Sequence, residues 1–172
     1  MFTHAGITLR TVEPADLEPM RALRNDPSTW TMLTHVDMVD EQGQRDWFER
    51  MKRASDRRYY VICSADEPFI GIVRTDEIDR ANRSIRVGAD VAPSLRGRGY
   101  GYSTYQAVLK YCFDFLNMHR VWLLVLDGNA PARALYAKCG FVVEGRQREA
   151  IFRDGVYRDY LMMSILEPEY KR

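Results

Sequence analysis

The run Arg96-Gly97-Arg98-Gly99-Tyr100-Gly101 sets glycines beside arginines between an alternating, strand-like stretch, Ser84 to Val91, and a helical pattern that starts near Tyr100 and reaches about Asn117. A strand, a glycine-rich turn and a helix N-terminus gather unpaired backbone N–H groups at one point, and the helix dipole adds positive potential there. The turn therefore has the chemistry of a phosphate site. Two familiar phosphate loops do not fit it. A dinucleotide fingerprint anchored on Gly99 and Gly101 needs a third glycine where the chain has Thr104. A Walker-type loop needs Gly-Lys followed by Ser or Thr, a tripeptide absent from this sequence.

Further along, Val121-Trp122-Leu123-Leu124-Val125-Leu126 is too short for a helix and rich in strand formers, as a buried strand would be. It leads into Asn129-Ala130-Pro131-Ala132-Arg133-Ala134-Leu135-Tyr136-Ala137-Lys138-Cys139-Gly140-Phe141. Asn129 suits a helix N-cap, Pro131 is tolerated in a first turn, and Gly140 suits the left-handed residue that ends a helix. A short capped helix carrying Tyr136 is expected. Taken in order, Arg96-x-x-Gly99-x-Gly101 and the string from Asn129 through Leu135-Tyr136 to Gly140-Phe141 resemble the two signatures of the GNAT superfamily of N-acetyltransferases.

The elements that would position these motifs can be read from the rest of the chain. Ile7 to Val12 alternates like a strand, and Asp16 to Asn25 carries Leu17, Met20 and Leu23 at helical spacing until Asn25-Asp26-Pro27-Ser28 breaks it. Trp30 to Val39 is irregular, with Trp30, Met32, His35 and Met38, after which Glu41 to Arg53 is helical and places Trp47, Phe48 and Met51 on one face. Tyr59 to Ser64 and Phe69 to Thr75 read as strands around the turn Ala65-Asp66-Glu67-Pro68, and Asp79 to Arg83 turns into the strand ending at Val91. Asp154-Gly155 joins a last hairpin, from about Phe141 to Phe152 and from about Val156 to Leu166. The order β-α-α-β-β-β-α-β-α-β-β is similar to that of a GNAT fold. The resemblance implies an α/β (α+β) domain over residues 1–172, with a mixed, mostly antiparallel sheet of about seven strands that splays between its fourth and fifth strands, flanked by about four helices.

The resemblance also implies a chemistry: an acetyl group moves from acetyl-CoA to an amine by direct attack in a ternary complex, which requires orientation of the reactants, deprotonation of the ammonium and protonation of the leaving thiolate. Arg96, Gly97, Arg98, Gly99, Tyr100 and Gly101 would hold the pyrophosphate, and backbone groups of Val91 and Ala92 would pair with the pantetheine arm, assisted by Asn129. Tyr136 matches the family tyrosine that acts as general acid. Several relatives carry a glutamate where this chain has Arg86 or Ser103, so the general base has to come from elsewhere. Asp90 is the nearest candidate; Asp76 and Glu77 read as solvated turn residues, and His119 as a partner of a helix C-terminus.

The first half resembles a GNAT branch that contains ribosomal-protein alanine, spermidine and nucleotide-linked amino-sugar acetyltransferases, on the strength of Arg24-Asn25-Asp26-Pro27, Trp47-Phe48, Arg58-Tyr59-Tyr60-Val61-Ile62 and Ile70-Gly71-Ile72. Trp30, Tyr59, Arg74 and Arg86, with Arg153, could recognise a nucleotide-linked amino sugar, the expected small-molecule amine acceptor. Asp76-Glu77 with Asp79 keeps a polyamine open; a protein N-terminal amine and a non-catalytic acetyl-CoA-binding regulatory domain are the other readings.

A chain of 172 residues with a formal net charge of +1 has room for a sizeable core and no bulk charge to draw a nucleic acid or a membrane surface. Cys63, Cys112 and Cys139 lie inside apolar patterns, as reduced core thiols would, and their spacing is not that of a metal site. With no signal-like segment and no run of 18 apolar residues, a cytoplasmic protein without metal is expected, and a homodimer is an open expectation.

Overall fold

The computed structural model describes residues 1–33 and 37–171; His35, singled out above, lies outside the described residues. The described elements are β1 (Phe2–His4), β2 (Ile7–Thr11), α1 (Leu17–Asn25), α2 (Pro27–Trp30), α3 (Glu41–Arg53), β3 (Arg58–Cys63), β4 (Gly71–Asp79), β5 (Ser84–Val91), α4 (Tyr100–Lys110), β6 (Arg120–Leu126), α5 (Ala130–Lys138), β7 (Val142–Arg153) and β8 (Val156–Leu166). The strands form one sheet in the order β1-β2-β3-β4-β5-β6-β8-β7. Every neighbouring pair is antiparallel except β5 and β6. That parallel pair is the splayed one: its register covers only Ser84↔Arg120, Ile85↔Val121 and Arg86↔Trp122, after which the two strands part.

Two turns follow directly from their residues. Asp154 (φ 50°) and Gly155 (φ 78°) both take the left-handed conformations of a tight hairpin turn between β7 and β8. Ala5 (φ 51°) and Gly6 (φ 76°) do the same between β1 and β2, which adds an eighth strand to the expected seven. Alternation drives the sheet onto α4: Val73, Ile85, Val87, Val121, Leu123 and Ile165 are each at most 2% exposed and pack with Tyr105, Val108 and Leu109. Each such side chain contributes about 1.5–3 kcal/mol relative to leaving it in water. The helix does not stop at Lys110. It continues as a wider turn, Tyr111–Phe115, closed by the Leu116 N–H to the Tyr111 carbonyl at 3.0 Å.

Asp16 fixes the start of α1. The residue is 6% exposed, and its carboxylate takes both ends of the Arg10 guanidinium at 2.7 Å and accepts the Glu13 N–H at 2.9 Å. Burial works against its charge, and the hydrogen bonds from Arg10 and Glu13 outweigh it, holding the carboxyl below the usual range. The pair pins α1 to β2 and so aims Met20 and Arg24 into the cleft described next.

β4 differs most from its sequence reading. It runs through Thr75 to Asp79 by way of a bulge at which Glu77 adopts φ 48°. Asp76 is consequently a 9% exposed strand residue rather than a solvated turn residue, while Glu77 stays exposed.

Candidate active site

Gly97 (φ 76°) and Gly99 (φ 87°) stand in the left-handed region just before α4, and Gly99 is its N-cap. Nothing lies within 4 Å of where a side chain would begin at either glycine, so the turn faces open space. The first-turn N–H groups of α4 have no intrahelical partner and point the same way. This geometry suits a pyrophosphate.

Arg96 departs from its expected place. Its Nε donates to the Val91 carbonyl at 3.0 Å, one terminal nitrogen to the Ser28 hydroxyl at 2.8 Å and the other to the Thr29 hydroxyl at 2.6 Å. The guanidinium thus ties the turn to α2, and Arg98 is exposed beside it. Ala92 is also corrected: its N–H donates to the Ile70 carbonyl at 2.8 Å, on the β4 side. In an antiparallel ladder successive residues alternate sides, so Val91, not Ala92, turns its backbone groups toward the gap beside β6.

On the sheet face away from α4, β4 and β5 form the floor of a cleft of about 950 Å³. The register sets Ile72 opposite Asp90, Arg74 opposite Gly88 and Asp76 opposite Arg86, and Tyr59 on β3 lies opposite Arg74. Arg86 holds Asp76 with Nε at 2.5 Å and a terminal nitrogen at 3.0 Å, reaches Glu77 at 2.9 Å and lies over the Trp122 ring at 5.6 Å. Arg74 lies 3.6 Å from Asp90 and 3.9 Å from Asp76. Burial opposes the charge of Arg74, yet Asp90, Tyr59 and Asp76 keep its pKa above the ordinary arginine value. Tyr59 meets Trp47 edge to face at 4.9 Å, and burial raises its phenol pKa.

The structure thus brings Tyr59, Arg74, Arg86 and Asp90 together along the cleft. Trp30, at the end of α2, is not among the lining residues; α3 supplies Trp47 instead, and Arg24, Asp37, Asp40 and Arg50 join it. Trp47 could have been found from its helical face paired with an aromatic strand, whereas the loop contributors carry no local signal. Arg153 donates to the Leu33 carbonyl and is not a lining residue. His119 is exposed, and its carbonyl accepts the Glu167 N–H at 2.8 Å.

Across the splay, Asn129 caps α5, its side-chain oxygen accepting the Ala132 N–H at 3.2 Å. Tyr136 projects from that helix against Tyr105 at 5.1 Å and Phe141 at 6.0 Å between ring centres. Burial raises the Tyr136 pKa, the Tyr105 hydroxyl opposes that rise, and Asp90 adds to it. The candidate acid and the candidate base are therefore electrostatic neighbours. Among the described residues no group of three or more His, Cys, Asp or Glu side chains could hold a metal, and no helix is long and apolar enough to cross a membrane.

The acetyltransferase (GNAT) domain family matches residues 7–142, and the chain belongs to that family. Use of acetyl-CoA in N-acetyl transfer follows from that membership. The chain is similar to the spermidine N(1)-acetyltransferase of Vibrio cholerae, with 30% identity over 97% of this chain and 96% of that protein. It is also similar to the putative ribosomal N-acetyltransferase YdaF of Bacillus subtilis, with 25% identity over 99% and 98% of the two chains. Among solved structures, the Vibrio cholerae spermidine N-acetyltransferase in complex with CoA and spermine superposes with a TM-score of 0.91, 29% identity and coverage of 97% and 99%. A dodecameric structure of spermidine N-acetyltransferase from the same organism gives a TM-score of 0.82 at 30% identity over 95% of each chain.

Proposed function

We propose that the chain acetylates a primary amine of a polyamine in a ternary complex assembled across the gap between β5 and β6, with residues 1–172 acting as one domain. The N–H groups from Gly97 to Gly101 hold the pyrophosphate of acetyl-CoA at the α4 N-terminus, and Arg98 adds charge. Val91 takes the pantetheine arm through its backbone and Asn129 through its side-chain amide. The neutral amine, delivered over the cleft floor, attacks the thioester carbon; the N–C bond forms, the C–S bond breaks, and the ammonium proton leaves toward Asp90 or water. Tyr136 gives its phenolic proton to the departing sulfur. A phenol, with a reference pKa of about 10, is protonated at neutral pH and suited to a thiolate of about 8.5. Burial strengthens that protonation in Tyr136.

The observation that weighs against the nucleotide-sugar reading is the partnering of the floor arginines. Arg86 and Arg74, expected to meet the pyrophosphate of a nucleotide sugar, are already engaged by Asp76, Glu77 and Asp90. The similarity to spermidine enzymes supports the same choice over the amino sugar. One observation favours the nucleotide-linked amino sugar as a second reading: Arg24, Arg50, Arg57, Arg74 and Arg86 outnumber Asp37, Asp40, Asp76 and Asp90 around the cleft. By analogy with the dodecameric spermidine N-acetyltransferase the chain works as a homo-oligomer, and its location is the cytoplasm.

Competition among acceptors tests the choice. With spermidine, spermine, UDP- and dTDP-linked amino sugars and a peptide with a free N-terminus, the highest kcat/KM is expected for a polyamine. A higher value for an amino sugar or the peptide would replace the acceptor and leave acetyl transfer standing.

A further inference from the structure

Gly88 sits buried on β5 directly opposite Arg74 of β4, on the floor of the cleft. A methyl group there would stand 2.8 Å from Cζ and from one terminal nitrogen of Arg74 and 3.0 Å from its Nε, closer than such carbons come. The guanidinium therefore occupies the volume that any other residue at position 88 would fill. From that seat it reaches Asp90, two residues further along β5, at 3.6 Å and Asp76, two residues along its own strand, at 3.9 Å. Arg86, the other floor arginine, is held by Asp76 and Glu77 and leaves Asp90 to Arg74.

We propose that Gly88 is a positioning residue for acetyl transfer: by leaving its side-chain volume empty it seats Arg74 across β5, and the seated guanidinium fixes the Asp90 carboxylate where the incoming amine passes. This inference rests on the reading that the acceptor amine approaches over Asp90. The atoms that clash with a methyl are the far end of a flexible side chain, and the backbone at position 88 has ordinary angles. Gly88→Ala should consequently fold normally and displace the guanidinium alone. Acetyl-CoA, held by the turn before α4 and the backbone of Val91 rather than by the Arg74 side chain, should not sense the change.

The test compares wild type, Gly88→Ala, and Gly88→Ala combined with Arg74→Lys, whose slender ammonium passes the added methyl. Misplacement of about 1 Å near a reacting centre costs up to about 100-fold, so kcat/KM for the best amine of the panel should fall by about 10- to 100-fold in the single variant. The acetyl-CoA-induced thermal shift should remain at its wild-type value, and the double variant should recover about tenfold of the loss. Wild-type activity in Gly88→Ala, a lost thermal shift, or a double variant no better than the single one would each overturn the proposal. Should the wild type turn over no amine, the acceptor reading has failed instead, and the NMR signal of the Arg74 Nε–H then decides. A displaced signal in Gly88→Ala supports the seating, and an unmoved one overturns it.

Discussion

Gly99→Val should abolish the rise in melting temperature that acetyl-CoA gives the wild-type protein. Gly99 holds φ 87° at the N-cap of α4, a conformation that a β-branched residue reaches only at a cost of about 1–3 kcal/mol. Its side chain would also project into the open space that the pyrophosphate needs. A ligand present at about 100 times its dissociation constant stabilises the native state by about 2.7 kcal/mol, and this entire increment is expected to vanish. At Gly101 a side chain would instead begin 3.1 Å from a terminal carbon of Leu135, so Gly101→Val probes the packing of α4 against α5. Thermal melts with and without acetyl-CoA, with circular dichroism to establish that each variant is folded, read the outcome. A folded Gly99 variant that keeps the full shift would remove the turn from the donor site.

Tyr136→Phe should lower kcat by about 100- to 10,000-fold, the usual range for loss of a general acid, with acetyl-CoA affinity unchanged. The ring that packs against Tyr105 and Phe141 is retained, so only the hydroxyl is lost. An interaction made in the transition state and not in the ground state appears in kcat and leaves binding alone. Steady-state kinetics beside calorimetric titration separates the two. An unaltered kcat, or an effect confined to affinity, would make Tyr136 a packing or binding residue.

The parts of this fold that could be read from sequence are those whose causes are local. Asp154-Gly155 supplies two left-handed residues and hence a hairpin; Asn129 and Gly140 bound α5; and α3 runs from Glu41 to Arg53 because its cap and its apolar face agree. Ala5-Gly6 makes the same kind of turn as Asp154-Gly155, but alanine carries no preference for a positive φ, so β1 has no local sequence signal. The bulge at Glu77 hid the end of β4 in a similar way, and with it the burial of Asp76. Among the candidate site residues, the turn glycines and the helix that carries Tyr136 were legible because glycine conformation and helix caps are local. Arg96 was not, since its partners Ser28 and Thr29 lie in a different helix. The partners of the floor arginines are hidden for the same reason: the pairing of Arg86 with Asp76 and of Arg74 with Asp90 depends on strand register, which a sequence read alone does not display.

The most direct test of the central claim is to mix the protein with acetyl-CoA and spermidine and to follow free thiol release together with the mass of the amine. Enzymatic transfer predicts one thiol for each acetylated spermidine, over many turnovers per protein chain. Binding of acetyl-CoA with neither thiol release nor an acetylated product from spermidine or any other primary amine would contradict it, and would make the chain a sensor of acetyl-CoA rather than an enzyme.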